Sequence, residues 1–130
     1  MLELLIRHSD TGTTICCKGR IVLGSHLDLF RGATLSQTAS KVMLDLSRVH
    51  LVDAAGLGVL VDLHKRFLNT RRTVDLIDPT PFVCQVFRIT CLHTVFRILR
   101  TRDIGPTQRN ALGLQSDRRN SLNGWIKQGG

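Results

Sequence analysis

Few side chains in this sequence could do chemistry, and their spacing limits what that chemistry could be. Four cysteines stand at positions 16, 17, 84 and 91. Cys16 and Cys17 are adjacent, so in a strand they point to opposite faces. Cys84 and Cys91 lie seven apart and share one face of a helix if a helix runs that far. Neither spacing is that of zinc ligands such as C-x-x-C, and no metal site is expected. Seven residues of helix rise about 10 Å, beyond the roughly 7 Å Cα limit for a disulfide. A redox switch between Cys84 and Cys91 therefore needs the helix to end first. All four thiols read as small buried hydrophobes.

The stretch VDAAGLGVLVDLHKRF, residues 52–67, is the most informative. An acid, two alanines and a glycine sit where an apolar run gives way to a helical pattern. Such a turn usually presents a reactive side chain at a helix start, and here it offers two methyl groups. Asp53 is placed to cap the helix, its carboxylate accepting from first-turn amides, worth about 0.5–2 kcal/mol. Gly56 and Gly58 are expected to keep the turn close to neighbouring backbone. The Gly56-x-Gly58 pair is a fragment of a phosphate loop, but no Gly-Lys-Ser/Thr follows and the Rossmann spacing is incomplete. No cofactor is expected. His64 lies on the apolar side of its helix with no acid or nucleophile at a helpful spacing, and reads as a packed histidine. Ser47 could accept a phosphate, but more simply closes the strand LDLS with a local backbone hydrogen bond. No Ser/His/Asp, Cys/His or metal constellation can be assembled, so an enzyme is not expected.

Those residues must be held by elements that the hydrophobic pattern outlines. LELLIRH and TTICCKGRIVLG read as two extended segments around SDTG, where Gly12 suits a hairpin. SHLDLFRGATLSQTAS has helical spacing through Leu27, Phe30, Ala33 and Leu35, with Ser25 or Ser36 as caps or breaks. KVMLDLSRV is nearly continuous in apolar residues, the mark of a central strand. Leu57, Leu60, Val61, His64 and Phe67 or Leu68 predict the apolar stripe of the next helix, with Asp62, Lys65 and Arg66 toward water. RRTVDLID is a short strand ended by PTP. A helix then follows through Phe82, Val83, Val86, Phe87 and Ile89 or Thr90, with Pro81 in its first turn, and TVFRIL is a last strand. The order β-β-α-β-α-β-α-β predicts one α/β domain with a mixed four- to five-stranded sheet and helices mainly on one face. From Thr101 the apolar residues scatter. The expectation is a domain over residues 1–100 and a basic, mostly irregular tail over 101–130 that adds little, with Trp125 and Ile126 its only apolar attachment.

Composition removes several function classes. The chain has 130 residues and a formal net charge of +8. Thirteen Lys/Arg face eight Asp/Glu in residues 1–100, and five face two in 101–130. The excess is spread out, without aromatic interleaving or a long basic block, so nucleic acid is not an expected partner. No apolar run approaches the eighteen or so residues that cross a bilayer. MLELLIRHSD does not read as a signal peptide, and a cytoplasmic protein is expected.

MLDLSRVHLVDAAGLGVLVDLHKRF, followed by VDLIDPTPFVCQVFRITCLHTVFRIL, resembles the STAS domain, the fold of bacterial anti-sigma factor antagonists. The likeness covers about residues 2–100 and is carried by the LDLS strand, the Asp-x-x-Gly-Leu-Gly turn and the P-x-V-x-x-V segment. Lys18-Gly19-Arg20-Ile21 also fits the family's second strand. It implies a binding module: unphosphorylated antagonist binds an anti-sigma factor, usually a serine kinase, and phosphorylation of a serine in an Asp-Ser-Ser-Gly turn breaks that complex. Asp53 matches the acid and Gly56 the glycine, while Ala54 and Ala55 occupy the serine positions, with Ala55 aligned to the phosphoacceptor. The resemblance thus implies docking through Asp53, Ala54, Ala55, Gly56, Leu57 and Gly58 without the phosphorylation switch. A scaffold, or a lipid- or small-molecule-binding relative in another signalling complex, is the alternative. Oligomeric state is left open.

Overall fold

A computed structural model describes residues 1–103 and the strand residues 126–127. Strands β1 (Leu2–Ser9) and β2 (Gly12–Ile21) form an antiparallel hairpin whose turn holds Gly12 at φ 149°. Then come α1 (Ser25–Leu35), β3 (Lys41–Val52), α2 (Ala54–Asn69), β4 (Thr73–Ile77), α3 (Pro81–Ile89) and β5 (Ile98–Leu99). β2, β3, β4 and β5 run parallel, with α1, α2 and α3 as the crossover helices between them. The sheet order is β5-β4-β3-β2-β1-β6, in which β6 (Ile126–Lys127) lies antiparallel on the outer edge of β1. The mixed α/β sheet with one helical face is as the hydrophobic pattern predicts.

The core lies between the helices and one sheet face. Leu4, Ile15, Val42, Leu44 and Leu76 meet Phe30 of α1, Leu60, Leu63 and Phe67 of α2, and Val83 and Phe87 of α3. α1 and α2 are tied at the surface by Asp62, which accepts from Arg31 at 2.8 Å and Arg66 at 2.9 Å.

Several expected details shift. The buried stripe of α2 is Gly56, Leu60, Leu63 and Phe67, while Leu68 is exposed and Leu57, Val61 and His64 are half-buried. In α3 only Val83 and Phe87 are buried, and Phe82 and Ile89 face outward. α1 begins at Ser25 itself after Gly24, with no side-chain cap. TVFRIL yields only a two-residue strand, because Leu92–Thr94 form a 3-10 turn and Phe96 folds back against Phe87, ring centres 5.7 Å apart. Of the expected tail, Thr101–Asp103 form a 3-10 turn and Ile126–Lys127 join the sheet. The rest of that expectation falls outside the described residues.

Candidate functional site

β3 ends at Val52, and Asp53 stays extended at φ −97° and ψ −177° before α2 starts at Ala54. That geometry lets the side chain fold back over the helix's free amides. Asp53 Oδ1 accepts the Gly56 N–H at 2.8 Å, the expected N-cap bond. The second oxygen does more. Oδ2 accepts the Leu23 N–H at 3.0 Å, from the loop between β2 and α1. Asp53's own N–H donates to the Ile21 carbonyl at 3.4 Å. One carboxylate therefore locks two chain segments thirty residues apart. The Leu23 amide first, then that of Gly56, hold its carboxyl below the usual carboxylate range.

The two glycines of the turn play different parts. A Cβ at Gly56 would stand 2.0 Å from the Ile21 carbonyl oxygen and 3.0 Å from its carbon, so only glycine lets α2 approach the end of β2. Gly58 meets nothing within 4 Å, so the expectation of close approach holds for Gly56 and not for Gly58. Among the other residues singled out, Ala54 is exposed, Asp53 and Leu57 are half-buried, and Ala55 is half-buried with its methyl packed against the core. The more accessible of the two alanines is thus Ala54, whereas the expectation from the family resemblance put the phosphoacceptor position at Ala55. Beside them stands Leu23, 77% exposed on a backbone anchored to Asp53. Sequence reasoning missed Leu23, since nothing local to it points to a residue thirty positions on.

The remaining candidates disperse. The His64 ring packs edge-on against Phe96 at 5.5 Å, as a packed histidine should. Ser47 is exposed, and the local bond runs the other way: its backbone N–H donates to Asp45 Oδ1 at 2.9 Å. α3 ends at Ile89 and Cys91 follows at φ 60°, so the helix does end before the second thiol; all four cysteines are free. Cys17 is buried and Cys91 exposed, which corrects the expectation of four buried thiols. Burial first, and Asp45 second, push the Cys16 thiol up to about 12. Among the described residues no group of His, Cys, Asp or Glu could hold a metal ion. No described helix is long and apolar enough to cross a membrane.

A mixed sheet with helices on one face, and a second crossover helix capped by Asp53 at the end of the central strand, define a small α/β domain. The STAS domain model matches residues 3–105, and the chain belongs to the STAS domain family.

Solved structures agree on the fold. An anti-sigma factor antagonist from Mycobacterium paratuberculosis superposes with TM-score 0.68 at 20% identity, over 90% of this chain and 96% of that one. A putative anti-sigma factor antagonist from Thermotoga maritima gives 0.69 at 19%, over 82% and 91%. The anti-sigma factor antagonist SpoIIAA in its unphosphorylated form gives 0.62 at 12%, over 95% and 99%. SpoIIAA of Bacillus is also known in a phosphorylated form, with TM-score 0.60 to this chain. No curated protein matches the chain in sequence.

Proposed function

We propose that this STAS domain is a non-enzymatic signalling module that docks an anti-sigma factor of the serine-kinase type through the Asp53–Gly58 turn, without a phosphorylation switch in that turn. The observation that carries this reading is Ala54 at the capped start of α2, exposed where a hydroxyl would be reached and offering a methyl group instead. A phosphoester needs an oxygen nucleophile. Without one, the turn never gains the roughly −1.5 to −2 charge that a phosphate brings. Ala55, the position aligned with the phosphoacceptor, lacks the oxygen as well.

The scaffold around the missing hydroxyl is intact. Asp53 still caps α2 and clamps the Leu23 loop, and Gly56 still seats the helix against Ile21. This arrangement fits a turn kept for docking, permanently in the binding-competent charge state. The likeness to anti-sigma factor antagonists supports the choice of partner class.

The experiment is co-purification from the source cell, followed by phosphate mapping after incubation of the pair with ATP. The expected result is a stable complex with a small ATP-binding kinase and no phosphate on residues 53–58. Phosphate on Ser47 together with loss of the complex would replace the constitutive reading with a displaced switch. Capture of no kinase-type partner would contradict the assignment.

A further inference from the structure

Two irregularities in β3 change which of its residues reach the outer sheet face, the one turned away from the helices. Cys16 pairs with Asp45 and Lys18 with Arg48, so two steps along β2 match three along β3. Gly19 pairs with Val49 and Arg20 with Leu51, so one step matches two. Each shift sets one extra residue of β3 against β2, as a β-bulge does. The inward residues are then Leu46, Val49 and Val52, all in the core, in place of strict alternation. Ser47, Arg48 and His50 are exposed, and Leu51 is half-buried. Opposite them on β2, Lys18 and Arg20 are exposed as well. Directly paired residues share a face, so Lys18 and Arg48 stand side by side with their strands about 4.8 Å apart. Like charges in that position destabilise a sheet. Among the described strand residues the acid at this end is Glu3, half-buried and paired with Lys18. Farther down the face Arg7 and Lys41 are set against Asp45 and Asp75, and charge balances there.

We infer that this exposed end of the outer face, formed by Lys18, Arg20, Arg48 and His50, is a docking strip for an extended acidic segment of a protein partner. The sequence scatters these residues over thirty positions, and the bulged register gathers them. Carboxylates at every second residue of an extended chain recur about every 6.7 Å, the spacing of Lys18 and Arg20 along β2. Each guanidinium can take a carboxylate through two parallel N–H donors, and His50 adds a ring donor. No aromatic residue stands on β2 or β3 to stack against a base, and a strip two strands wide is too short to follow the phosphates of a duplex. The apolar residue in the strip is Leu51, which is half-buried and offers little to insert into a bilayer, and Glu3 would face the anionic headgroups. The strip lies on the sheet face, apart from the Asp53–Gly58 turn and from whatever docks there.

The probe is a peptide of about ten residues that alternates Glu and Ser, so that its carboxylates fall on one side of an extended chain. It is titrated into the 15N-labelled full-length protein, with phosphatidylserine-containing vesicles and a DNA duplex in parallel arms. The expected result is amide shifts centred on residues 18–20 and 47–51 that fade at about 0.5 M salt. Lys18→Gln/Arg48→Gln should weaken the peptide at least tenfold, with a dispersed spectrum as the folding control. Arg88→Gln/Arg97→Gln removes the same charge from exposed positions elsewhere and should leave the affinity within about twofold. Equal losses in the two variants would show attraction to net charge alone and overturn the inference. So would no shift at these residues. Tighter binding of the vesicles or the duplex through the same residues would also overturn it, because the occupant would then be a membrane or a nucleic acid.

Discussion

Replacing Gly56 with alanine should damage this domain out of proportion to the one methyl group added. The new Cβ would stand 2.0 Å from the Ile21 carbonyl oxygen and 3.1 Å from Ile21 Cγ2. Unstrained carbon–oxygen approaches are about 3.3 Å or more, so α2 and the end of β2 must separate by over an ångström. Overpacking of this kind costs about 1–3 kcal/mol. The shift also pulls Asp53 from the Gly56 amide, and an N-cap is worth about 0.5–2 kcal/mol. Alanine's better helix propensity returns about 0.5–1 kcal/mol. The net loss is about 0.5–4.5 kcal/mol with a midpoint of about 2.5 kcal/mol, which is roughly 10–20 °C of thermal midpoint for a domain of about 100 residues. Gly58→Ala is the matched control: same helix, same substitution, open space around it. It should be neutral or stabilising by up to about 1 kcal/mol. Thermal unfolding followed by circular dichroism reads both. If the two variants melt within a few degrees of each other, the close approach of α2 to β2 does not hold the turn in place.

Other consequences are smaller and equally checkable. Asp53→Asn should destabilise the fold near neutral pH and flatten its acid limb. The Asp53 carboxyl is held below its ordinary 3.8, so its stabilisation is present above that value and is lost as pH falls through the lowered one; an acid titration of the midpoint unchanged by the substitution would contradict this. Arg31→Gln should cost at most about 1 kcal/mol and less in high salt, because the Asp62 pair is more than a third exposed; a larger, salt-independent loss would refute a surface tie. Thiol labelling at pH 8 should modify Cys91 readily and leave Cys16 nearly unreactive, its thiol being pushed up to about 12. Comparable rates at the two positions would overturn that order.

The sequence carried the parts of this molecule that depend on local pattern. Continuous apolar residues in KVMLDL marked the central strand, and Asp53 ahead of a helical period marked the cap, because strand burial and capping are encoded within a few residues. What depends on distant partners stayed hidden. The Asp53–Leu23 bond spans two connections and has no local sign. The difference between Gly56 and Gly58 lies in the Ile21 carbonyl, which only the packed fold brings near. Phe96 was expected in a strand because its neighbours are β-formers, but packing against Phe87 and His64 turned it inward. The exposure of Ala54 and partial burial of Ala55 likewise follow from how α2 sits on the sheet.

The most direct measurement is partner affinity for a charge placed on the turn. Ala54→Asp puts a carboxylate at the exposed first residue of α2, where the helix macrodipole favours it by about 0.3–1 kcal/mol, so the domain should stay folded. At a docked interface the same carboxylate loses water, a cost of several kcal/mol when unpaired, and each 1.4 kcal/mol is tenfold in affinity. Titration against the co-purified partner should therefore show binding weakened by about two orders of magnitude or more. Ala55→Asp should weaken it as well, and Ala55→Ser should leave it unchanged until phosphorylated. Wild-type affinity for Ala54→Asp, in a protein shown by circular dichroism to be folded, would mean that this turn is not where the partner binds.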